Sequence, residues 1–562
     1  MPVTNLSLGV QTDTPMLSPE PFIWRGFNIR VRAKHVETLG LYGPLQDVSG
    51  DQIMGLGADI HRKVFTTPSV TTGQILLGSV SNITLIQYDP TSTPATGTRW
   101  ETFNVTPVGL PIVPPPGDGI TVPSAGRIEI PPVWWFDDQE DLVVGSRANV
   151  NGDVPYVWDR INSNAFTEIT LARHPTDPFW PAPVDSGDPV DPQPTPIPIG
   201  AVGGGIVNRI LVLLGCSSFT DPDPQRYMTI RWSDRFNFGQ WTPSDITLSG
   251  ELQLEGGSRI VGGGIVGFGV IAWTDKRMAL LRETFDFDVF SREYIDGGRG
   301  LLANQAWTEA DGQVWWLDET RTLNVYDGGR PRQIVNNNRY ASIERLSDAQ
   351  AARVYLEPNH EYGEIIIHYP QDDDLEIDAQ LVYNYLHDCW YPWGLARSGW
   401  SQRYGVIPNI GVDQNNLVWM HDLDVNLASP WLNTTTAMGG PVVKQSPHAD
   451  DVAPVSFEFE SNLITQSDPG LTAWHTTKVT LDYLPSPAEG ANDTFDVTVT
   501  GYREPSLKQI TYGMTETFED GEVMKDYRIG GKAVQFKVSG TDIKTVFRYG
   551  LIDIAAGNDG ER

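Results

Sequence analysis

The sequence contains very little cysteine. Its 562 residues include only Cys216 and Cys389, which lie far apart in the chain. They form neither a CxxC pair nor the dense, even framework of a disulfide-rich secreted domain. We therefore predict two buried free thiols, without a metal role, in a protein that is made in a reducing cytoplasm.

Long apolar runs are also missing. The first residues, Met1–Thr14, show no basic start followed by an apolar core, so we expect no signal peptide. The longest apolar candidates, Ile210–Leu214 and Ile260–Trp273, are short or interrupted by glycine. Because a bilayer-spanning helix needs about 20 apolar residues, we predict no membrane span.

Positive charge is scarce. The chain has 40 Lys and Arg against 71 Asp and Glu, which gives a formal net charge of −31. A protein that holds DNA phosphates over its whole surface needs clustered basic residues, so that class is excluded. This charge favours solubility, and it could also form a surface that DNA passes without binding.

One short segment is an exception to the acidic balance. Residues 25–34 contain four basic side chains and no acid: Arg25, Arg30, Arg32 and Lys34. Two interpretations are open, a solvated strand edge or a docking contact with an acidic neighbour or with DNA. We name these four residues as possible docking residues.

Helical patterns are weak throughout the chain. The best stretch, Ser347–Tyr355, predicts one short helix at most, whereas short strand-like runs separated by turn residues recur, as in Gln74–Gly78 and Ile83–Tyr88. The 55 glycines and 42 prolines suit short strands and turns. Two Pro-rich stretches, 107–131 and 175–198, interrupt the series as long loop insertions. The fold class is therefore predicted to be all-β.

An internal repeat indicates how the strands are arranged. Val202–Val207 and Val261–Val266 share the sequence Val-Gly-Gly-Gly-Ile-Val, and an apolar strand follows each copy. Short antiparallel sheets that recur along a chain are typical of a β-propeller, because one blade cannot bury both of its faces alone. We predict an N-terminal arm or docking segment at 1–52 and a β-propeller at 53–430.

The amino-acid composition and the pattern of apolar residues change after the propeller region. Residues 431–452 are rich in Thr, Gly, Pro and Asp and predict a linker. Residues 453–562 then alternate between apolar and polar side chains, for example in Val455–Phe459 and Phe495–Thr500. Alternation of this kind marks half-buried antiparallel strands, and it predicts a C-terminal β-sandwich-like domain.

No motif with a chemical mechanism is well supported. Gly262-x-Gly264-x-x-Gly267 matches the dinucleotide-binding string, but a strand-like sequence follows it, so we expect the glycines to allow close approach between blades or a bulge. The acids around Asp372 lack the spacing and glycine of a calcium loop and predict a hairpin tip. We therefore predict no catalytic residue, no cofactor and no metal.

Several strings together resemble the nozzle, or hub, proteins of short-tailed bacteriophages, a group that overlaps packaged-DNA stabilisation proteins. Each string alone is common in propellers, but they occur in the family's order over more than half of the chain. The matching residues are Arg231–Asp234 with Trp241–Pro243, Asp311–Leu317, Val325–Gly329, Glu361–Pro370, Leu381–Tyr385 with Trp390, Arg528–Lys532 and Phe547–Ile554.

The resemblance implies a non-enzymatic virion structural protein of the phage tail. Its subunits would form a ring, a homohexamer in this family, below the portal–adaptor complex. The ring would retain packaged DNA, conduct the viral double-stranded DNA during ejection, and carry tail fibres, spikes or tip proteins. Residues 1–200 match only in general style, so the partner of the N-terminal arm is not predicted.

Two other functions fit an all-β chain of this kind. A carbohydrate-binding or glycoside-cleaving propeller would use acid pairs and the Trp-rich stretches around Trp135, Trp316 and Trp393, although these aromatic residues lie inside strand patterns and can equally pack the blades. An intracellular scaffold propeller would be a monomer with short blades and a regular repeat, which this irregular chain lacks.

Overall fold

A computed structural model describes the protein in segments. These are residues 2–3, 17–18, 23–32, 35–46, 51–67, 74–88, 100–108, 110, 133–148, 153–169, 200–218, 228–243, 246–284, 289–334, 343–346, 350–372, 374, 376–402, 409–423, 453–465, 474–487, 491–504, 509–519 and 522–558. Lys34, most of the Pro-rich stretch 107–131, all of 175–198 and the predicted linker 431–452 lie outside them.

Seven antiparallel units of four strands account for most of the described chain. Five are separate sheets, and the other two are the halves of one eight-stranded sheet. In chain order the strands are Lys63–Thr67, Gln74–Gly78, Ile83–Tyr88 and Trp100–Asn104 (blade one); Val133–Gln139, Leu142–Ala148, Tyr156–Asp159 and Thr167–Glu168 (blade two); Gly203–Val207, Ile210–Cys216, Thr229–Trp232 and Gly250–Gln253 (blade three); Ile260–Val266, Gly269–Thr274, Arg277–Glu283 and Phe290–Arg299 (blade four); Trp307–Ala310, Gln313–Leu317, Leu323–Tyr326 and Arg332–Gln333 (blade five); Tyr355–Asn359, Glu364–Tyr369, Ala379–Asn384 and Cys389–Trp393 (blade six); and Gly399–Ser401, Asn409–Val412, Val418–Leu423 and Leu41–Pro44 (blade seven).

The seven units close into a ring, which confirms the prediction of an all-β, propeller-like fold. The first strand of each blade is innermost, because its free edge contacts first strands of neighbouring blades. Gly399–Ser401 of blade seven contacts Lys63–Thr67 of blade one and closes the circle. The middle strands are buried on both faces, as Ile210–Cys216 shows, since neighbouring blades cover them on either side.

Glycine makes the closest contact between two blades possible. The repeated Val-Gly-Gly-Gly-Ile-Val segments form the innermost strands of blades three and four, where Gly204 and Gly264 pair in parallel. A Cβ atom on Gly203 would lie 2.4 Å from the carbonyl oxygen of Gly263. The predicted role of these glycines in close approach is therefore confirmed, and a bulge follows Ile260 as well.

The C-terminal strands form two further sheets that pack as a sandwich around shared apolar residues such as Phe495, Phe536 and Phe547. One sheet contains Met524–Gly531, Trp474–Pro487, Thr545–Asn558, His35–Thr38 and Ile29–Arg32, with Pro2–Val3 on Thr545–Asn558. The other contains Gln509–Phe518, Phe495–Glu504, Ala533–Ile543, Val455–Ser461, Leu463–Thr465, Ile23–Phe27 and Leu17–Ser18.

The N-terminal strands therefore belong to both parts of the molecule, which differs from the predicted arm at 1–52. Ile23–Phe27, Ile29–Arg32 and His35–Thr38 complete the sandwich, and Leu41–Pro44 is the outer strand of blade seven. The sequence pattern could not reveal this, because a strand's partner is not encoded in its own alternation.

Helical structure is limited to two 3₁₀ turns in the described residues, Ile343–Arg345 and Ala351–Arg353. The second lies within the stretch that was predicted to form one short helix. None of the helices in the described part of the chain has the length and apolar character that crossing a bilayer requires.

Candidate functional site

The predicted docking residues lie at the junction between sandwich and propeller. Arg30, on a sandwich strand, is fully buried and reaches into the propeller. Its guanidinium donates to Glu364 of blade six, with Nε 2.5 Å from Oε1, and to Asp422 of blade seven, with Nη2 3.0 Å from Oδ1. The ring of Tyr362 lies 3.6 Å from the guanidinium carbon. Arg30 is therefore an internal connector and cannot contact another molecule.

Charges around this junction compensate each other in an interior that opposes ionisation. Burial works against the charged form of Glu37, but the neighbouring His35 ring and the nearby charges of Arg30, Arg32 and Arg548 lower its pKa to about 2. Burial raises the pKa of Glu364, although Arg30 opposes that shift. Removing one partner from such a network leaves an uncompensated buried charge.

The other three basic residues differ from Arg30. Arg32 keeps a third of its side chain exposed (33%) and lies 3.6 Å from Glu37. Arg25 is exposed on the strand Ile23–Phe27, which pairs with Val455–Ser461. Lys34 lies outside the described residues. The docking prediction is wrong for Arg30, because it is buried, and it stays a prediction for Arg25 and Arg32.

Polar side chains connect blades across the inside of the propeller. Lys63 of blade one and Glu357 of blade six form an ion pair, with Nζ 3.0 Å from Oε1. Gln305, which precedes blade five, donates through Nε2 to the carbonyl oxygen of Trp134 in blade two at 3.0 Å. Gln305 and Trp134 belong to blades that lie three positions apart, so their contact crosses the inside of the ring, whereas Lys63 and Glu357 bridge the two blades on either side of blade seven. Protein groups therefore occupy part of the space near the axis.

The other sequence candidates have structural partners. Gly262 and Gly264 lie in an innermost strand, where a Cβ atom on Gly262 would be 2.5 Å from the carbonyl oxygen of Asn304. Among the acids near the predicted hairpin tip, Asp372 accepts hydrogen bonds from Arg345, and Glu376 accepts from Arg62 and Arg353. These carboxylates are thus engaged with guanidinium groups.

The aromatic stretches and the cysteines lie inside the fold. The tryptophans that were considered for sugar stacking are at most 8% exposed, which confirms that they pack the blades; they are Trp134, Trp135, Trp315, Trp316, Trp390, Trp393 and Trp400. Both cysteines are free and buried, as predicted. Burial raises the pKa of each thiol to about 12, so both thiols stay protonated at neutral pH.

A cleft of about 560 Å³ lies between blades five and six. Its lining combines rings, acids, amides and one guanidinium: Asp311, Gln313, Trp315, Arg332, Gln333, Ile334, Tyr383, Tyr385 and Asp388. Tyr385 stacks on Trp315, with ring centroids 5.6 Å apart and planes 30° apart. The cleft is thus a mixed polar and aromatic cavity on the side that carries the turn between the first two strands of blade five.

Hydrogen bonds hold the two acids at the cleft. The hydroxyl of Tyr385 donates to Asp311 at 2.8 Å across the two blades, and that of Tyr383 donates to Asp388 at 2.8 Å. Burial, together with these neighbouring carboxylates, raises the pKa of both tyrosines. Asp311 (φ 50°) and Gly312 (φ 72°) are both left-handed, as the tight turn of a hairpin requires. Sequence alternation places Tyr383 and Tyr385 on one face, but it cannot show which blade faces them.

An apolar surface is left open at the edge of the sandwich. Gln509–Phe518 pairs with Phe495–Glu504, and it has no second strand partner among the described residues. Phe518 and Met514 on this strand contact the sandwich core, whereas Tyr512 and Ile510 are 56% and 63% exposed. The register with Phe495–Glu504 shifts between these two residues, so Tyr512 continues the core-facing side of the strand and Ile510 lies on the opposite face. We call Ile510 and Tyr512 the edge patch.

Comparisons with known proteins identify no family for this chain. No family model matches it, and no curated protein matches it. Among solved structures, the crystal structure of the computationally designed Ika8 protein is 10% identical with a TM-score of 0.34, and the alignment covers 67% of this chain and 99% of that one. Apo AztD from Citrobacter koseri is 9% identical with a TM-score of 0.31, over 67% of this chain and 94% of that one. With TM-scores this low, neither similarity bears on function.

Proposed function

We propose that this protein is a structural subunit of a short bacteriophage tail, a nozzle or hub protein that forms a ring with copies of itself. In this role it would act in the virion, below the portal–adaptor complex, retaining packaged DNA and conducting it during ejection. The ordered strings that resemble the nozzle family support the choice of phage tail. The edge patch supports self-assembly, and it is the observation that carries the proposal.

The edge patch favours assembly for a simple physical reason. A strand edge with free backbone groups and adjoining apolar side chains is a site for pairing with another chain, and soluble monomers usually protect such edges with charges, proline or bulges. This edge has a bulge between Tyr512 and Ile510, but the bulge leaves both side chains more than half exposed, Tyr512 on the core-facing side and Ile510 on the opposite face. A ring of identical subunits, closed by rotation, would cover this surface in every copy.

The partly occupied space near the propeller axis supports one detail of the proposal. Gln305 crosses the inside of the blade ring to Trp134, and the Lys63–Glu357 pair bridges blades one and six, so duplex DNA would need a wider passage than the propeller offers. In the proposed assembly the DNA channel lies between subunits, with the propellers around it. The excess of acids would then limit binding of DNA phosphates to the channel wall, since like charges repel.

Light scattering after size-exclusion chromatography, followed by negative-stain microscopy, tests the assembly. We expect closed rings from the purified protein, and monomers from Ile510→Lys/Tyr512→Lys at the same concentration. Ile161→Lys, at a position that is 70% exposed on blade two, is the matched control and should keep the ring. A monomer at every concentration, or rings that survive both edge substitutions, would contradict the proposal.

A further inference from the structure

We propose that the cleft between blades five and six is a binding subsite for a saccharide. It is a cavity of the size that holds a small ligand, and it combines an aromatic wall with several convergent polar groups. This inference goes beyond the proposed structural role. It would add recognition of a polyhydroxylated surface, such as a bacterial glycan, to a subunit that otherwise acts by assembly.

The lining suits a ligand that both donates and accepts hydrogen bonds. Asp311 and Asp388 offer acceptor oxygens, whereas Arg332 offers donors; Gln313 and Gln333 can act as either. Each carboxylate has about four acceptor sites, of which its tyrosine partner uses one. Asp311 has His360 as a second neighbour, with Nδ1 3.4 Å from Oδ1, and both carboxylates keep further acceptor sites. Free acceptor capacity therefore remains beside a cationic donor, which is the combination that neighbouring sugar hydroxyls require.

Other ligand classes fit this lining less well. A cationic ligand would find two acids and three rings, but it would also meet the guanidinium of Arg332. An anionic ligand would meet Asp311 and Asp388. A purely apolar ligand would remove water from the acceptor and donor sites that these groups do not use within the protein, which costs free energy. A neutral polyhydroxylated molecule avoids all three penalties.

The aromatic wall is fixed before any ligand arrives. Tyr385 lies against Trp315 with one face and donates its hydroxyl to Asp311, so its ring has little freedom to move. Tyr385 also lines the cleft, where the apolar side of a sugar ring could stack on it. Trp315 is only 2% exposed, and its indole N–H has no hydrogen-bond acceptor among the described residues. A fixed wall reduces the entropy that binding would otherwise cost.

A glycan array of bacterial surface oligosaccharides, followed by calorimetric titration with the strongest binder, tests the inference. We expect Tyr385→Ala to weaken binding by about tenfold or more, because the ring supplies the stacking surface. Tyr385→Phe keeps that surface and should lose only a few-fold. Arg332→Ala should weaken binding as well, and Arg330→Ala, an exposed arginine two residues away that does not line the cleft, is the matched control.

The outcomes separate this inference from the proposed assembly. Absence of binding to every glycan on the array, or equal affinities of the wild type and Tyr385→Ala, would overturn the subsite whether or not rings form. A monomeric protein that binds a glycan and loses affinity through Tyr385→Ala would overturn the ring and support the subsite. Circular dichroism and thermal unfolding of Tyr385→Ala and Arg332→Ala establish that a lost affinity does not reflect a lost fold.

Discussion

Replacing Arg30 with methionine should separate the sandwich strands from the propeller locally. The substitution keeps most of the side chain's length but removes the cation that three carboxylates share, those of Glu37, Glu364 and Asp422. Breaking a fully buried ion pair from one side costs about 3 to 5 kcal/mol, because the remaining charge stays buried without its partner. We expect a cost in this range for opening of the junction.

Hydrogen–deuterium exchange of the peptide that covers residues 29–38 measures this cost directly, which whole-chain unfolding of a molecule with two structural parts would not. Its protected amides should exchange roughly a hundredfold faster or more in Arg30→Met than in the wild type. Arg32→Met, which removes a partly exposed arginine two residues away, is the control, and it should change the opening free energy by less than about 1 kcal/mol.

A double variant tests whether the buried charge is the cause. Glu364→Gln removes the negative charge and keeps one of the two oxygens, of which Oε1 accepts from Tyr391 and Oε2 accepts from Asn359. Arg30→Met/Glu364→Gln should therefore exchange more slowly than Arg30→Met alone, since neighbouring substitutions in one network are not additive. Equal exchange in Arg30→Met and Arg32→Met, or faster exchange in the double variant, would refute the reasoning.

Two further predictions concern the propeller. Gly203→Ala should destabilise the protein by about 1 to 3 kcal/mol, because a Cβ atom would lie 2.4 Å from the carbonyl oxygen of Gly263, whereas Gly267→Ala should be nearly neutral, since the nearest atom to its Cβ would be 3.4 Å away. Thermal unfolding measures both, and equal effects would contradict a packing role. Burial and the charge of Arg397 lower the pKa of His421 in the folded protein. As the pH falls, His421 is therefore protonated in the unfolded state at a higher pH than in the folded state. Blade seven should then lose up to about 1.4 kcal/mol per pH unit below about pH 6 through His421, and His421→Gln should reduce that slope in exchange measurements at pH 7 and 5.5; an unchanged slope would contradict it.

The sequence was sufficient to predict the strands and the general architecture, because both depend on local patterns. Apolar and polar residues alternate along Val455–Phe459 and Phe495–Thr500 because one face of each strand is buried. The repeated triple glycine predicted close approach between blades. These signals act over a few residues and do not require knowledge of the partner strand.

The sequence alone could not predict the junction between sandwich and propeller or the cleft between blades five and six. The sequence suggested a solvated strand edge or a docking contact for Arg30 and did not predict its burial, because its partners Glu364 and Asp422 are more than 300 residues away. Tyr385 and Asp311 meet only because blade six packs on blade five. Pairings of this kind are set by the tertiary arrangement, so one sequence without its fold cannot assign them.

The strand Leu41–Pro44 has a consequence for how the molecule is made. It emerges from the ribosome early, but its partner Val418–Leu423 is translated much later, and at typical synthesis rates the delay is on the order of 20 to 75 s. During that time the first segments must stay unpaired while blades one to six accumulate. Closure of the ring is thus a late event that joins an early segment of the chain to a much later one, and chaperone binding to the nascent N-terminal segment should affect the yield more than binding elsewhere.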